Sequence, residues 1–398
     1  MNHRYADPRQ AVFTPPGAHV LSSRACPELS VVVPLYNKAP YIRRCLESIQ
    51  SQTFENFEVI VVDDGSTDGS ASAAQEVIGD DARFRILSQA NRGSGAARNR
   101  GIAEAKAPLI AFLDADDAWD PKFSEAIVGL AARYLSAGVF ATGYRRRLDS
   151  GIDKLVSLRT RQRSGLIRDY LRIARQGDLV TSSSVAVRQA LLAQVGGFLE
   201  GQPLGEDQEL WFRLALFSPV AFDRRILATY HSESSGRTCK VLGPLVDLYP
   251  ATVSLWRMLD DGSMPADRRR EGALHADWLL LQQALTMLWD CSREQVQSVL
   301  RADRFRTFSY RLRAALLRWS VALIPLRLLA AVRLKPAAWL RAARQWAPAG
   351  AFAGMVESVL RIRVRVQFVR TPVPPEWATS AEYSLGREGA GESGGSSN

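Results

Sequence analysis

Between Leu29 and about Tyr230, short apolar runs alternate along the chain with segments of helical periodicity. Three of the runs, at residues 29–33, 57–62 and 109–113, are almost continuously apolar. Runs of this length are typical of strands that are buried on both faces of a parallel sheet. Helices between consecutive strands carry the chain back across such a sheet. The pattern therefore predicts an α/β domain whose central sheet is mainly parallel.

Helices are expected between these strands. The first should begin at Pro40, because the N–H that proline lacks would be unpaired at a helix start. Its apolar residues share one face: Ile42, Cys45, Leu46 and Ile49. Further helices should begin near Thr67 and Ser94, with a strand at 85–87 between them. A hydroxyl of Ser66 or Thr67 is expected to cap the second helix.

Beyond about residue 240 the strand pattern stops and amphipathic helices follow, as in residues 275–288. Apolar and polar residues alternate with period two over residues 362–368, which predicts a basic edge strand. Pairing of this strand between two chains would give a homo-oligomer. After residue 371 the composition is typical of disorder. We expect four parts: a flexible lead over 1–28, the α/β domain over 29–240, a mainly helical basic extension over 241–370 and a disordered tail over 371–398.

The chain has 398 residues, of which 46% are hydrophobic, and its formal net charge is +10. It can therefore bury a large core. The positive charge is concentrated in residues 301–370, which hold about 15 Lys and Arg against 2 acids. Arginines interleaved with Trp and Leu, as at Arg318–Trp319, fit either a helix on an anionic membrane surface or the wet face of a helical bundle. They interrupt the apolar stretches before about 18 residues accumulate, so no spanning helix is predicted. Nucleic acid is disfavoured, because no recognition module accompanies the charge.

The four cysteines are scattered without metal-ligand spacing, which is typical of reduced thiols in a cytosolic protein: Cys26, Cys45, Cys239 and Cys291. The polar N-terminus lacks the apolar core of a signal peptide, so none is predicted. The expected location is the cytoplasm, with peripheral contact at the inner face of the cell membrane through the basic extension.

Acidic residues fall in three separated groups: Asp63–Asp64, Asp114–Asp117 and Glu206–Asp207. The first two groups directly follow predicted strands. In parallel sheets, ligands bind in the crevice beyond the carboxyl ends of the strands. Carboxylate oxygens are the ligands of hard divalent cations, which also hold phosphates. The pattern indicates a divalent metal and a phosphate-bearing substrate.

Each acidic group also has a simpler interpretation. Residues 64–69 match the start of a calcium loop, but Gln75 stands where that loop needs a bidentate Glu, and calcium is rejected. A phosphatase built on Asp114 would need a threonine at Ala118. A solvated turn over 114–117 would leave three crowded acids repelling one another. The pair 206–207 suits the first turn of any helix.

A glycine-rich segment at residues 91–101 opens a helix. Backbone N–H groups and the positive end of the helix would favour an anion there. The alternative is a helix of small residues packed closely on the sheet, with Arg98 at the surface. That alternative explains the Gly and Ala residues but not Arg98 and Asn99.

Together these segments resemble glycosyltransferase family 2, the inverting nucleotide-sugar enzymes of the GT-A fold. The resemblance covers about residues 29–235. The matching segments follow the family order and spacing: Val33–Asn37, Val62–Asp68, Asn91–Gly101, Phe112–Asp117, Val195–Phe198 and Gly205–Trp211. The resemblance implies a Rossmann-like GT-A domain with a helical C-terminal extension.

The resemblance also implies which residues bind the nucleotide-sugar donor. Asp64, with Asp63, would accept a hydrogen bond from the N–H of uracil, and Asp114 would lie near the ribose. Asp117 would support the sugar or the metal. The implied donor-binding residues are Pro34, Tyr36, Asn37, Asp63, Asp64, Arg98, Asn99, Asp114 and Asp117.

For the chemical step, the resemblance implies a cation and a base. Asp116 would bind Mn²⁺ or Mg²⁺, with Asp114 and His231 as further ligands, although His231 fits equally a surface histidine at a strand end. Asp207 would be the general base, with Glu206 beside it. An inverting transfer needs a base for the acceptor hydroxyl and a cation for the departing diphosphate.

The expected function is thus inverting transfer of a sugar, from a UDP-sugar, to a hydroxyl of a cell-surface glycan, lipid-linked or polymer acceptor. One alternative is a catalytically silent scaffold that binds nucleotide-sugars, and the intact Asp64, Asp116 and Asp207 disfavour it. The other is a nucleotidyltransferase, which would also use Asp-x-Asp and a metal. The segment at 206–207, in its family context, disfavours that reading.

Overall fold

The computed structural model describes residues 26–148, 150–151, 153–158, 164–177, 179–232, 234, 248–287, 293–301, 305–307, 310–311 and 314. The strands are β1 Leu29–Leu35, β2 Phe57–Asp63, β3 Phe84–Ser88, β4 Leu109–Phe112, β5 Ala118–Trp119, β6 Val139–Arg147, β7 Asp153–Val156, β8 Ser164–Ile167, β9 Val185–Arg188 and β10 Val220–His231. The helices are α1 Ala39–Gln50, α2 Ser70–Ile78, α3 Ser94–Glu104, α4 Phe123–Arg133, α5 Tyr170–Ala174, α6 Gln189–Val195, α7 Glu206–Phe217, α8 Pro250–Asp260, α9 Arg269–Met287 and α10 Arg293–Val299. Short 3₁₀ helices occupy Ser182–Ser184 and Ala266–Arg268.

One sheet runs through the domain in the order β3-β2-β1-β4-β9-β6-β10-β5, with β7 paired to β6 and β8 to β10. The strands β3, β2, β1 and β4 are mutually parallel, and β6 is parallel to β10. The predicted α/β fold with its parallel sheet is confirmed. The sequence pattern did not reveal β9, which joins the two parallel groups by pairing antiparallel to both β4 and β6.

The register brings the strand ends to one edge of the sheet. Leu35 pairs with Asp63 between β1 and β2, and Val32 pairs with Phe112 between β1 and β4. The loops that follow these strands therefore emerge side by side. Pro34 lies beyond the last β1–β4 pair, where a missing N–H costs no bond to β4.

Alternate residues of the central strands enter two separate cores, one on each face of the sheet. Val32, Ile60 and Val62 belong to one core, and Val31 and Val33 to the other, all fully buried. Burial on both faces explains why these strands are almost continuously apolar.

Helix α1 buries its predicted face, and Pro40 lies in its first turn, one residue after the start. The predicted start and cap of α2 were wrong. This helix begins at Ser70 after Gly69, which has φ +85°, because Ser66 and Thr67 instead contact the loop that follows β1.

Helix α3 packs closely on β1. A Cβ at Gly101 would lie 2.3 Å from Cγ1 of Val32. The small residues of this helix thus have a packing reason, as the sequence suggested. A surface position for Arg98 is wrong, because its side chain is buried.

Helices α8 and α9 continue the core beyond residue 240, in line with the expected helical C-terminal part. Ala251 and Leu255 of α8 and Ala276 and Leu279 of α9 join the core that holds α7. His275 is fully buried against the ring of Phe212, with 4.2 Å between ring centroids. Within the described residues, no helix combines the length and apolarity needed to cross a membrane.

Several expectations concern residues outside those described. They are residues 1–25 of the lead over 1–28, the basic helices around Arg318–Trp319, the edge strand at 362–368 and the tail over 371–398. The domain boundaries stay predictions.

Candidate active site

The loops after β1 and β2 are tied together through Asn37. Its N–H donates to Oγ of Ser66 at 3.1 Å, and its Oδ1 accepts from the N–H of Thr67 at 2.8 Å. Asn37 has φ +49°, a left-handed conformation that asparagine adopts more readily than most residues. Tyr36 lies just before it, with 47% of the residue exposed. The sequence-predicted nucleotide residues 34, 36 and 37 therefore share one end of β1.

Asp63 and Asp64 have different local roles. Oδ1 of Asp63 accepts from the N–H of Ser66 at 3.1 Å and shapes its own turn. The buried carboxylate of Asp64 accepts from Nε2 of Gln89 at 2.8 Å and from the N–H groups of Arg92 at 2.9 Å and Gly93 at 2.8 Å. A carboxylate has about four acceptor positions. Asp64 thus orders the start of α3 and retains capacity for one further donor.

The acidic turn after β4 is anchored by Asp117, whose side chain is fully buried. Its two oxygens accept from Oγ of Ser183 at 2.6 Å and from the N–H of His231 at 2.9 Å. Asp117 therefore joins the turn to the Ser182–Ser184 helix and to the end of β10. Its observed contacts are structural, and direct support of a sugar or metal stays a prediction.

Asp116 is buried beside two cations. Nζ of Lys38 lies 3.0 Å from its Oδ2, and Nη2 of Arg44 donates to its backbone carbonyl. Asp114 is more exposed, and its Oδ1 accepts from Nη2 of Arg98 at 2.7 Å. The two acids of the Asp-x-Asp motif thus have separate cationic partners.

Arg98 connects this turn to α7. Its Nη1 donates to Oε1 of Glu206 at 3.0 Å, while its Nη2 holds Asp114. Burial alone would lower the pKa of Arg98, but the charges of Asp114 and Glu206 raise it above its ordinary value. Ser94 adds a 2.6 Å hydrogen bond to the same oxygen of Glu206. A permanently charged guanidinium therefore brings together acidic groups that are far apart in sequence.

Asp207 follows Glu206 in the first turn of α7, the position predicted from the sequence. Its Oδ1 accepts from the N–H of Gln208 at 2.7 Å, and Oγ of Ser182 lies 3.4 Å from its Oδ2. Burial, followed by the like charge of Glu206, raises the pKa of Asp207 to about 7, although Arg98 acts in the opposite direction. A carboxyl group that titrates near neutrality can exchange a proton at ordinary pH.

His231 and Asn99 lie at the borders of the site. His231 is buried at the end of β10, so a surface position for it is wrong. Oδ1 of Asn99 accepts from the N–H of Phe198 at 2.8 Å, and its Nδ2 donates to the carbonyl of Phe198 at 2.9 Å. A Cβ on Gly197 would lie 2.3 Å from Oδ1 of Asn99, which explains glycine there. Direct contact of Asn99 with a donor stays a prediction.

Sequence reasoning missed three residues that organise the site. Ser183 holds Asp117, Lys38 pairs with Asp116, and Gln89 holds Asp64. The run Ser182–Ser184 forms a buried 3₁₀ helix. Three consecutive hydroxyls were the available signal for Ser183. No local pattern marks Lys38 or Gln89.

The acids suit a cation that they share with a phosphate ligand. Among the described residues, His, Cys, Asp and Glu form no group of three or more placed to hold a metal, so Asp114, Asp116 and His231 are not a preassembled ligand set. Mg²⁺ is commonly held by one or two carboxylates together with substrate phosphates. Asp116, aided by Asp114, fits this donor set, and the ammonium of Lys38 shows that Asp116 accommodates a positive charge.

The sheet, with its acidic turn beyond β4, defines the protein as one of the GT-A class. Its fold is similar to that of S. aureus TarS residues 1–349, a structure in complex with UDP-GlcNAc. The TM-score is 0.62 at 15% identity, covering 78% of this chain and 92% of that one. Residues 30–196 match the family model described as Glycosyl transferase family 2. Residues 30–196 therefore form a domain of glycosyltransferase family 2, as the motifs predicted.

Curated relatives match parts of the chain. "Putative glycosyltransferase EpsH" of Bacillus subtilis is 45% identical over 105 residues, which is 26% of this chain and 30% of that protein. An "Uncharacterized glycosyltransferase" of Rickettsia felis is 31% identical over 219 residues, or 53% of this chain and 36% of that protein. The chain thus matches about a third of the length of each of these relatives.

Proposed function

We propose that the protein is an inverting glycosyltransferase that moves a sugar from a UDP-sugar to an acceptor hydroxyl. The observation that carries the proposal is the bridge made by Arg98 between Asp114, 2.7 Å away, and Glu206, 3.0 Å away. This bridge holds the N-terminal end of α7 against the acidic turn after β4. Asp207, with its pKa of about 7, stands at that end.

Asp207 is the proposed general base. Near pH 7 a group with this pKa is ionised in a useful fraction and is basic enough to take a proton in the transition state. The 3.4 Å approach of the Ser182 hydroxyl and the N–H of Gln208 orient its two oxygens. In an inverting transfer the base lies opposite the leaving group, so the acceptor hydroxyl would lie on the Asp207 side of the donor sugar.

The donor nucleotide is proposed to lie at the ends of β1 and β2. Tyr36 offers an exposed ring there, and Asp64 retains acceptor capacity for a uracil N–H. The choice of UDP is supported by the similarity in fold to TarS, whose structures include complexes with UDP-GlcNAc and UDP. Arg98 is proposed to act mainly by positioning Asp114 and Glu206.

The proposed cation site is Asp116 with Asp114. When bound, Mn²⁺ or Mg²⁺ would neutralise the charge that develops on the departing diphosphate. The residues themselves hold the turn ready: Arg44 and Lys38 fix Asp116, and Arg98 fixes Asp114. The acceptor, taken as a cell-surface glycan, lipid-linked or polymer hydroxyl, stays a prediction. A location at the inner face of the membrane, contact with that membrane and oligomer formation also stay predictions.

The experiment that tests the proposal is calorimetric titration of the purified protein with UDP, GDP and dTDP, in Mn²⁺ and then in EDTA. We expect selective binding of UDP that depends on Mn²⁺. Absence of binding by all three nucleotides under both conditions would overturn the proposal, and UDP binding without sugar transfer would instead favour the silent scaffold.

Two substitutions separate the proposed roles. Asp207→Asn should retain UDP binding and lose transfer, whereas Asp116→Ala should also lose Mn²⁺-dependent UDP binding. Asp80, an exposed acid just beyond the C-terminal end of α2, provides the matched control. Asp80→Asn should change neither UDP binding nor transfer. Equal loss of UDP affinity in the first two variants would contradict the assignment of separate roles.

A further inference from the structure

Lys38 is held firmly against Asp116. Its Nζ lies 3.0 Å from Oδ2 of Asp116, and the two side chains are only 14% and 5% exposed. The backbone of Lys38 is fixed as well, because its N–H donates to Oγ of Ser70 at 2.8 Å. Exposed ion pairs contribute little, but a buried carboxylate that loses its partner is costly. The ion pair is therefore a fixed contact between the loop after β1 and the turn after β4, and not an incidental surface contact.

We propose that Lys38 is an internal counter-ion of Asp116 that yields its place to the divalent cation and then pairs with the donor diphosphate. This inference rests on the proposed function, in which Asp116 binds the cation. An ammonium 3.0 Å from Oδ2 and a divalent cation on the same oxygen would repel each other. Lysine has a flexible stem and a compact charge that binds phosphate readily, so it can move from the carboxylate to the ligand.

The surroundings allow this exchange without disrupting the turn. Arg44 donates to the backbone carbonyl of Asp116, which leaves the main chain held when the side chain changes partner. Asp117 anchors the same turn through Ser183 and His231. Lys38 thus maintains charge balance at Asp116 before the cation arrives and binds the diphosphate afterwards.

Lys38→Gln removes the ammonium and keeps a side chain of similar reach. Without nucleotide, this variant should bind Mn²⁺ more tightly than wild type, because the competing cation is gone. At saturating Mn²⁺ it should bind UDP more weakly, because the diphosphate loses a partner. We expect the affinity for Mn²⁺ to rise and the affinity for UDP to fall by roughly tenfold each, which is near the lower end of the range for coupling between two ligands. General damage to the site would weaken both affinities, so the opposite signs identify the exchange.

Calorimetry with MnCl₂ alone, and with UDP at saturating Mn²⁺, measures both affinities. Lys38→Arg, which keeps the charge, should retain a Mn²⁺ affinity near that of wild type. Lys122→Gln, at an exposed lysine before α4, is the matched control. Unchanged or weaker Mn²⁺ binding by Lys38→Gln would overturn the inference.

A second measurement uses the wild-type chain and does not depend on the folding of a variant. Acylation of lysines by an amine-reactive reagent, followed by mass spectrometry, should label Lys38 faster in Mn²⁺ and more slowly once UDP is added, with Lys122 unchanged. Constant labelling of Lys38 across the three conditions would refute the exchange. Undiminished Mn²⁺ binding by Asp116→Asn would also refute it, while leaving selective UDP binding as support for the proposed function. Failure of wild type to bind any nucleotide would refute both.

Discussion

The raised pKa of Asp207 can be tested by changing its neighbour. Glu206→Gln removes a negative charge next to the proposed base. The amide keeps the oxygen that accepts from Ser94 and Arg98, 2.6 and 3.0 Å away. After burial, Glu206 is the largest cause of the raised pKa of Asp207, and Arg98 lowers that pKa. Without Glu206, the charge of Arg98 is less compensated. Both changes lower the pKa of Asp207.

The size of the shift follows from these contributions. The pKa of Asp207 lies about 3 units above its ordinary value of 3.8, and burial remains in the variant. A nearby charge commonly shifts a carboxyl pKa by at least about one unit, and one unit corresponds to about 1.4 kcal/mol between the two protonation states. The base would then ionise near pH 6 instead of near pH 7.

The assay is kcat/KM for sugar transfer between pH 5 and 9, since its acidic limb reports the free enzyme's base. Wild type should lose activity below an apparent pKa of about 7. The limb of Glu206→Gln should lie about one unit lower. Glu125→Gln, which changes an exposed acid in the first turn of α4, is the control and should leave the limb in place. A limb that stays at 7 or moves upward in Glu206→Gln would refute the reasoning.

Two further predictions concern stability. Burial lowers the pKa of His275 from 6.5 to about 3. Between these two pH values the unfolded chain therefore binds one more proton than the folded chain. The contribution of neutral His275 to stability is complete above pH 6.5 and is lost as the pH falls toward 3. Urea unfolding at pH 7 and pH 5 should show that wild type loses about 2 kcal/mol more than His275→Phe over this interval; parallel losses would contradict the prediction. Gly101→Ala should destabilise by about 1–3 kcal/mol because its Cβ would meet Val32 at 2.3 Å. Gly129→Ala, in the middle of α4 with no atom within 4 Å of the new Cβ, should instead stabilise by about 0.5–1 kcal/mol; similar effects of the two substitutions on the melting temperature would argue against close packing as the cause.

Much of the fold was predictable because it depends on local periodicity. The apolar runs became strands β1, β2 and β4. The face of α1 was buried as its spacing required, and Glu206–Asp207 opened α7. The short strand β9, antiparallel within the sheet, was not predicted, because four residues with this composition carry little periodic signal.

The polar contacts of the site were less predictable. Acids after buried strands could be expected at one sheet edge, since strand direction follows from the alternation of elements. The partners of those acids could not be deduced in the same way. Arg98 and Glu206 are 108 positions apart, and Lys38 and Asp116 are 78 positions apart. Such pairs depend on strand order and register, which periodicity does not encode.

The amino-acid order alone therefore determined the class of fold and the acids that gather at its edge, because burial and strand direction are properties of short segments. Tertiary packing decided which charge meets which: Arg98 between Asp114 and Glu206, Lys38 on Asp116, and Ser183 on Asp117. It also raised the pKa of Asp207 to about 7, since that shift requires the water displaced by the folded chain and the neighbouring charge to act together.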